Sequence, residues 1–175
     1  LHNEDFINEK QIGIGDTIVV RKAGEIIPEV LAVSRHCENS QVFKMPTHCP
    51  SCNAPVSRAE GEAVIRCTNS ECPAQLLRNL IHFTSRDAMD IEFLSDKTAA
   101  QLVEEFNISN VAMLYDLEYD KLVNLEGWQD KKAKNLLDAL EKSKDIDLSS
   151  FIFALGILNV GKKTARDLAK NYKTL

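Results

Sequence analysis

Four cysteines, Cys49, Cys52, Cys67 and Cys72, occur in the spacing C-x2-C-x14-C-x4-C. Two close pairs separated by a short stretch of chain are typical of a tetrahedral zinc site, because each pair supplies two thiolates from one tight turn. Such a site constrains the fold strongly, since the chain between the pairs must return on itself as a small ribbon. The sequence therefore predicts a structural Zn2+ ion bound by these four residues.

Two other interpretations of the cysteines fit less well. A pair of disulfides would need an oxidising compartment. We expect a cytoplasmic protein instead, because the sequence shows neither a secretion signal nor a run of about 20 apolar residues. A catalytic dithiol would explain one C-x-x-C pair but not the second pair. Cys37 is left over and is expected to be a free thiol. His48 is expected to stay outside a metal shell that four thiolates already fill.

Length and charge limit the function classes. The chain has 175 residues, of which 44% are hydrophobic, and a net charge of −5. We therefore expect no membrane span. The net charge of the whole chain does not indicate nucleic-acid binding either. If nucleic acid binds, local cations and backbone amides must hold it. The sequence begins at Leu1 rather than Met and ends without a closing signal, so we expect a segment of a larger protein.

The sequence predicts a mainly helical, multi-module fold with β structure at its N-terminus. Residues 1–35 are rich in β-branched side chains and turn signals, and we expect strands and turns that form the tail of a β domain. Pro28 should place the second strand at an edge or bend it. Residues 36–48 should connect these strands to the zinc ribbon, whose strand is expected over residues 63–66. From Pro73 onward the apolar period becomes helical. The buried face of the first helix is expected to comprise Leu76, Leu77, Leu80 and Ile81.

The C-terminal part contains an internal repeat. Copies of one pattern begin at Ile91, Leu125 and Ile157. Each copy has two apolar positions separated by turn positions, then an Asp or Lys, a Lys, an Ala and a Leu. A period in this range indicates stacked supersecondary units. Each unit is predicted to be a helix, a tight hairpin and a second helix. The clearest apolar helical stripe is that of Ala133, Leu136, Leu137 and Leu140.

The repeated unit resembles the helix-hairpin-helix motif, a sequence-independent reader of the DNA backbone. A tight turn exposes backbone N–H groups at the positive end of the second helix, where a phosphate can dock. A lysine near the start of that helix would add a charge-assisted contact to the phosphate. Such phosphate contacts position a protein on DNA without reading the bases. The alternative is helix packing with solvated lysines. The lysines concerned are Lys97, Lys131 and either Lys162 or Lys163.

The turn positions of the three hairpins differ. A hairpin of this kind uses glycine where φ is positive and where a phosphate approaches closely. The first copy has Phe93 and Ser95 at these positions, so we favour packing there, with Phe93 as a packing residue or an exposed contact. The second copy keeps Gly127, and the third has Asn159, which tolerates the left-handed region, and Gly161. For the second and third hairpins, phosphate binding and helix packing stand as equal alternatives.

The order of modules and several long runs resemble bacterial NAD-dependent DNA ligase. Residues 1–5 and 15–28 resemble its OB-fold segment, residues 82–91 resemble the run into its first hairpin, and residues 153–161 resemble its third. The first hairpin departs from the family, which usually has Gly-x-Gly there. The resemblance implies three modules, which are the C-terminal part of an OB-fold domain at 1–42, a four-cysteine zinc finger at 43–73, and a helix-hairpin-helix domain at 74–175 with hairpins near 91–97, 125–131 and 157–163.

This resemblance implies a parent enzyme that seals nicks in duplex DNA during replication and repair. In the family, NAD donates AMP to a lysine in a K-x-D-G motif, and the reaction also uses Mg2+. The chain contains no such motif. We therefore expect no catalytic residue here, no activity of this part alone, and NAD and Mg2+ to be used outside it. The part would be a DNA-binding clamp of a monomeric bacterial enzyme, with nicked duplex DNA and the N-terminal adenylation domain of the same chain as partners.

The candidate DNA contacts lie in the OB segment and at the second and third hairpins. Arg21 matches an arginine of the family's OB segment that serves DNA and the adenylated step, although a solvated arginine at a strand end is the alternative. His2 and Arg86 are expected to be structural, and Asp145 and Asp147 to be loop charges. The full set of expected DNA-binding residues is Arg21, Lys22, Gly127, Lys131, Lys132, Gly161, Lys162 and Lys163.

Two other function classes remain as alternatives. One is a non-enzymatic DNA-binding scaffold of a repair or recombination factor, built from the same zinc ribbon and helical repeats. The other is a protein-binding module whose acidic charge favours basic partners. Titration with duplex DNA would separate the second of these from the other interpretations.

Overall fold

The computed structural model describes residues 3–24 and 26–174, so Leu1, His2, Glu25 and Leu175 lie outside the described residues. The chain divides into two compact units, Leu1–Asn69 and Ser70–Leu175. The first unit contains α1 (Glu4–Lys10), β1 (Thr17–Ala23), β2 (Ile27–Arg35), β3 (Val56–Arg58) and β4 (Ile65–Cys67). The second contains α2 (Pro73–Thr84), α3 (Asp96–Phe106), a 3₁₀ helix (Val111–Asp116), α4 (Tyr119–Leu122), α5 (Asp130–Ser143), α6 (Leu148–Ala154) and α7 (Lys162–Tyr172).

The first unit opens with a helix where strands and turns were expected. The Asn3 side chain accepts the Asp5 N–H at 2.9 Å and caps α1. Acidic residues fill the first turn of α1 and Lys10 lies in its last turn, which complements the helix dipole. The prediction was wrong because only Ile7 of this helix is buried, so the sequence lacks an apolar helical stripe. The capping pattern is the signal that identifies the helix.

Strands β1 and β2 pair as an antiparallel two-stranded sheet in which Lys22 lies opposite Pro28. Pro28 lies inside β2 rather than interrupting it. Both strands are edges of the two-stranded sheet that the described residues form, and an edge position for Pro28 in a complete β domain stays a prediction. Apolar side chains stay exposed on the sheet, including Val20 at 49% and Ile27 at 69%. An OB fold is a five-stranded barrel, so the resemblance described above implies that this hairpin is one part of such a barrel.

The second unit is a helical assembly around one hydrophobic core. Leu80, Leu102 and Leu136 are completely buried, and they come from α2, α3 and α5 respectively. Helix α2 begins at Pro73 as predicted, although only Leu80 of its expected face is fully buried. The predicted stripe on α5 faces the core, with Leu137 half-buried. Among the described residues, no helix combines the length and apolar content needed to cross a bilayer.

Candidate zinc centre and phosphate-binding hairpins

The first cysteine pair lies on a tight turn. The Cys49 N–H donates to the Ala54 carbonyl at 2.8 Å, and the Asn53 N–H donates to the Cys49 carbonyl at 2.9 Å. Asn53 has φ 57°, a left-handed conformation that asparagine tolerates better than most residues. The next segment forms β3, which pairs with β4 so that Val56 lies opposite Cys67. Strand β4 therefore covers residues 65–67 rather than the expected 63–66.

The four cysteines come together as one cluster. The Sγ atoms of Cys49, Cys52, Cys67 and Cys72 all lie within 4.8 Å of one another. Zinc–sulfur bonds of about 2.3 Å in a tetrahedron place sulfurs roughly 3.8 Å apart, so the cluster has the size of a zinc shell. Cys49 and Cys72 are buried. The short ribbon also has almost no apolar core of its own, because β3 and β4 have three residues each.

The electrostatics of the cluster also fit a divalent cation. The Asn69 N–H approaches Cys67 Sγ at 3.4 Å and favours the thiolate. Burial and the neighbouring thiols of Cys52 and Cys49 outweigh this contact and raise the pKa of Cys67 to about 11. Sulfurs crowded in this way ionise together when a cation neutralises them. The donor set thus matches Zn2+, which the protein would hold for structure rather than for chemistry.

The two remaining candidates lie outside this cluster. His48 is exposed, and its Nδ1 lies 3.0 Å from the Thr47 hydroxyl. Cys37 is half-buried, and its thiol donates to the Ile14 carbonyl at 3.4 Å. Neither residue belongs to the group of metal-binding side chains found among the described residues.

The three repeats share one backbone geometry at their hairpins. The first turn position is left-handed in each copy, with φ 64° at Phe93, 75° at Gly127 and 64° at Asn159. Two residues later, an extended residue caps the second helix in each copy. The alanine of each repeat lies in the first turn of that helix and is buried. The hairpin geometry therefore persists in the first copy, although both of its glycines are replaced.

The first hairpin has the fewest groups to offer an anion. The Ser95 hydroxyl accepts the Thr98 N–H at 3.3 Å, which occupies one amide at the start of α3. Asp96 is the first residue of this helix and places a negative charge beside the remaining amides. Phe93 is 53% exposed at the tip of the turn. Lys97 is exposed beside Asp96.

The second hairpin is anchored in the second unit by a buried tryptophan. Trp128 is 5% exposed, and its indole N–H donates to Gln101 on α3 at 2.8 Å. The Lys132 ammonium lies 4.2 Å from the centre of the Trp128 ring, in a cation–π contact. Asp130 begins α5 and forms an ion pair with Lys134 at 2.8 Å. Lys131 is exposed beside this carboxylate, and Gly127 faces open space.

At the third hairpin, the cap of α7 makes no side-chain hydrogen bond, and lysines begin the helix. Gly161 caps α7 with no side-chain hydrogen bond, and a Cβ built on it would meet no atom within 4 Å. No acidic residue lies in the first turn of α7, which begins with Lys162 and Lys163. Lys163 is exposed, whereas Lys162 Nζ forms an ion pair with Asp87 at 2.5 Å. This arrangement is that of a helix N-terminus suited to a phosphate.

Comparison with known proteins identifies the family. Residues 1–41 match the NAD-dependent DNA ligase OB-fold domain, and residues 48–74 match the NAD-dependent DNA ligase C4 zinc finger domain. The whole chain aligns with DNA ligases of Thermoanaerobacter sp. (strain X514) at 51% identity and of Pelotomaculum thermopropionicum (strain DSM 13744 / JCM 10971 / SI) at 52% identity. A third DNA ligase, from Anoxybacillus flavithermus (strain DSM 21510 / WK1), is 48% identical. The chain is a fragment of a bacterial NAD-dependent DNA ligase.

The match covers this chain completely but covers only a part of each relative. The chain spans 27% of the Thermoanaerobacter ligase and 26% of the other two. It thus corresponds to the segment of a NAD-dependent DNA ligase that contains the OB-fold and C4 zinc finger matches and a following helical region. Together, the zinc finger match and the cysteine cluster confirm the predicted structural Zn2+.

Two cations of the ligase OB segment were also candidates for DNA contact. Arg21 lies opposite Glu29 in the sheet, and its Nε lies 2.9 Å from Glu29 Oε2. An exposed pair of this kind is weak, so a phosphate could exchange with the carboxylate. Lys22 is exposed on the same strand. DNA contact by either residue stays a prediction.

Sequence reasoning missed a group of charged residues near the third hairpin of this ligase segment. Arg86 was expected to be structural, while Asp87 and Arg166 were not considered. All three line one cavity together with Lys162. The available signal was the spacing of Lys162 and Arg166, because residues four apart share one helix face. Nothing in the sequence pairs that face with the turn after α2.

Proposed function

We propose that this chain is the DNA-gripping segment of a NAD-dependent DNA ligase, holding duplex DNA through its backbone phosphates. The third hairpin carries this proposal. It is the hairpin that joins a left-handed turn, an open Gly161 cap and two lysines without an acid in the first helical turn. A phosphate there would accept hydrogen bonds from backbone N–H groups and would be attracted by the positive end of the helix dipole. The exposed Lys163 is best placed to add its charge.

The remaining modules would support this grip. We assign residues 1–42 to the OB-fold domain, 43–73 to the zinc finger and 74–175 to the helix-hairpin-helix domain, which is consistent with the two family matches at 1–41 and 48–74. Arg21 and Lys22 would contribute phosphate contacts from the OB segment. Gly127, Lys131 and the tryptophan-bound Lys132 would contribute less, because the second hairpin is held against the core and carries Asp130.

The parent activity would be the sealing of nicks in duplex DNA by adenylyl transfer from NAD, in the bacterial cytoplasm. The lysine that accepts AMP would lie elsewhere in the parent, because this chain has no K-x-D-G motif. The chain alone should therefore bind nicked duplex DNA without accepting AMP from NAD. A non-enzymatic scaffold is disfavoured, because the DNA ligases match the chain over its full length.

A salt titration of DNA binding tests the role of the third hairpin. The zinc-loaded chain would be titrated against a short fluorescein-labelled duplex, nicked or intact, between about 50 and 200 mM salt. Lys163→Gln should lower the slope of log K against log salt by about 0.9, the loss of one phosphate contact. Lys97→Gln is the matched control, since Lys97 occupies the same position beside Asp96 and should change the slope little. Equal slopes for the two variants would contradict the assignment, and absence of binding at low salt would contradict the proposed function itself.

A further inference from the structure

The segment that leads from α6 into the third hairpin is not held by burial. Residues 155–159 are all exposed. Gly156 has φ 64°, so the chain leaves the end of α6 through the left-handed region, as many helices do. The orientation of this segment therefore depends on contacts at the end of α6, where it begins.

His82 makes such a contact from a neighbouring helix. It lies in the last turn of α2 and is half-buried, and its Nε2 lies 2.8 Å from the Phe153 carbonyl oxygen. A carbonyl can only accept, so Nε2 carries the proton and donates this hydrogen bond. The same carbonyl accepts the Gly156 N–H at 3.1 Å. The last carbonyls of a helix have no partner within it, so His82 caps the C-terminus of α6.

The imidazole ring of His82 also packs against the start of the hairpin. It meets the Phe153 ring edge-to-face, with ring centres 4.8 Å apart. A Cβ built on Gly156 would lie 3.4 Å from His82 Cδ2, so the imidazole lies against the turn itself. The Lys162 ammonium lies 5.9 Å from the centre of the same Phe153 ring. Phe153 thus contacts both His82 on α2 and the first residue of α7, which follows the hairpin.

We propose that His82 is a positioning residue for DNA binding, which acts by holding the third hairpin in its binding orientation. The inference rests on the proposed function, because the phosphate would dock at the Gly161 cap and Lys163 rather than at His82. Without the cap on α6, the exposed segment would adopt other orientations. The apparent affinity for DNA would then fall in proportion to the fraction of molecules whose hairpin is correctly placed.

Substitution of His82 in the zinc-loaded chain tests this role. His82→Leu keeps an apolar side chain and removes the donor, whereas His82→Gln keeps an N–H group that can reach the same carbonyl. His82→Leu should weaken binding of a short duplex about tenfold, the effect of a competent fraction near one tenth, and His82→Gln should restore most of it. Tyr115→Phe is the matched control, because the hydroxyls of Tyr115 and Ser143 join two other helices of the same unit at 2.8 Å. This control should leave the affinity for DNA unchanged.

A double-mutant cycle with Lys163→Gln shows whether His82 acts through the hairpin. A hairpin that binds phosphate less tightly gains less from being positioned, so the two losses should not add. His82→Leu should therefore cost only about threefold in affinity when residue 163 is already glutamine. Fully additive losses would overturn the positioning role, because they would place the effect of His82 elsewhere.

The remaining outcomes separate this inference from the proposed function. If the wild-type chain binds DNA and His82→Leu binds as tightly, the positioning role is overturned and the hairpin proposal stands. Equal weakening by His82→Leu and Tyr115→Phe would also overturn the positioning role, since it would show a general loss of stability. If the wild-type chain fails to bind DNA, both proposals are overturned.

NMR of the wild-type chain, labelled with ¹⁵N at histidine, tests the contact without any substitution. Nε2 of His82 should carry a proton that is protected from exchange with solvent, because the proton is shared with the Phe153 carbonyl. An Nε2 without a proton, or one whose proton exchanges freely, would overturn the inference even if His82→Leu failed to fold.

Discussion

Phe93 provides the sharpest test of the hairpin geometry. Its φ of 64° puts a bulky side chain in the left-handed region, where glycine is the usual residue. Its side chain is 53% exposed, so packing of the ring does not explain the conformation. The turn lies between α2 and α3, which contact each other, and we infer that the packing of these helices imposes it. Replacing Phe93 by glycine and by alanine separates this backbone strain from the loss of the ring.

The expected difference follows from two opposing terms. A residue with a Cβ in the left-handed conformation costs about 1–2 kcal/mol relative to glycine. Glycine loses more conformational entropy on folding than alanine does, which offsets about 0.4–1 kcal/mol of that gain. Both variants remove the same ring, so its contacts cancel in the comparison. Phe93→Gly should therefore be more stable than Phe93→Ala by about 0.8 kcal/mol, the difference between the mid-range values of these two terms.

Chemical unfolding of the zinc-loaded variants measures this difference. Urea titrations followed by circular dichroism give both free energies of unfolding, and the comparison requires equal slopes with denaturant. Glu92 is the control position, because it is exposed in the same turn and is not among the residues with positive φ. There the order should reverse, with Glu92→Ala more stable than Glu92→Gly. Should Phe93→Ala equal or exceed Phe93→Gly, a left-handed turn in the first hairpin would be refuted.

Three further substitutions test the first unit and the metal. Cys67→Ser should lower zinc stoichiometry and unfold the ribbon, whereas Cys37→Ser should leave both unchanged; metal analysis with circular dichroism decides, and full zinc in Cys67→Ser would contradict the four-thiolate site. Gly13→Ala should destabilise the chain by about 1–3 kcal/mol in urea titrations, because the added Cβ would lie 2.7 Å from the Gln41 carbonyl. The Ser40 hydroxyl and the Gly13 and Cys37 amides lower the pKa of Asp16. The ionised carboxylate therefore stabilises the fold above about pH 4, and this stabilisation is lost as pH falls through the folded-state pKa. Asp16→Asn should therefore have a melting temperature that is lower at neutral pH and less sensitive to acid, and identical acid melting curves would exclude the effect.

The parts of the fold that sequence could predict are those that depend on local chemistry. Cysteine spacing specifies a zinc shell because the ligands and their turns lie within one short stretch. The repeat predicts the hairpins because a buried alanine recurs at the start of each second helix, and the left-handed turn persists even at Phe93. The prediction failed at α1, whose single buried residue gives no periodic signal. It also missed the Asp87–Lys162 pair, because pairing of distant segments depends on how the helices pack rather than on any local pattern.

The three hairpins share one backbone geometry but differ in the charge of the residue that begins the second helix. An acid at the start of a helix stabilises it by complementing the dipole, and Asp96 and Asp130 do so in the first two copies. The same charge repels a phosphate that approaches the amides, so helix stability and anion binding compete for this position. The third copy has Lys162 there, which favours an anion but loses the stabilising charge. Asp87, which lies outside the helix, forms an ion pair with Lys162 and so brings a carboxylate to the first side chain of α7. Under the proposed function, electrostatics at one position, rather than the fold of the hairpin, would decide which repeat holds a DNA phosphate.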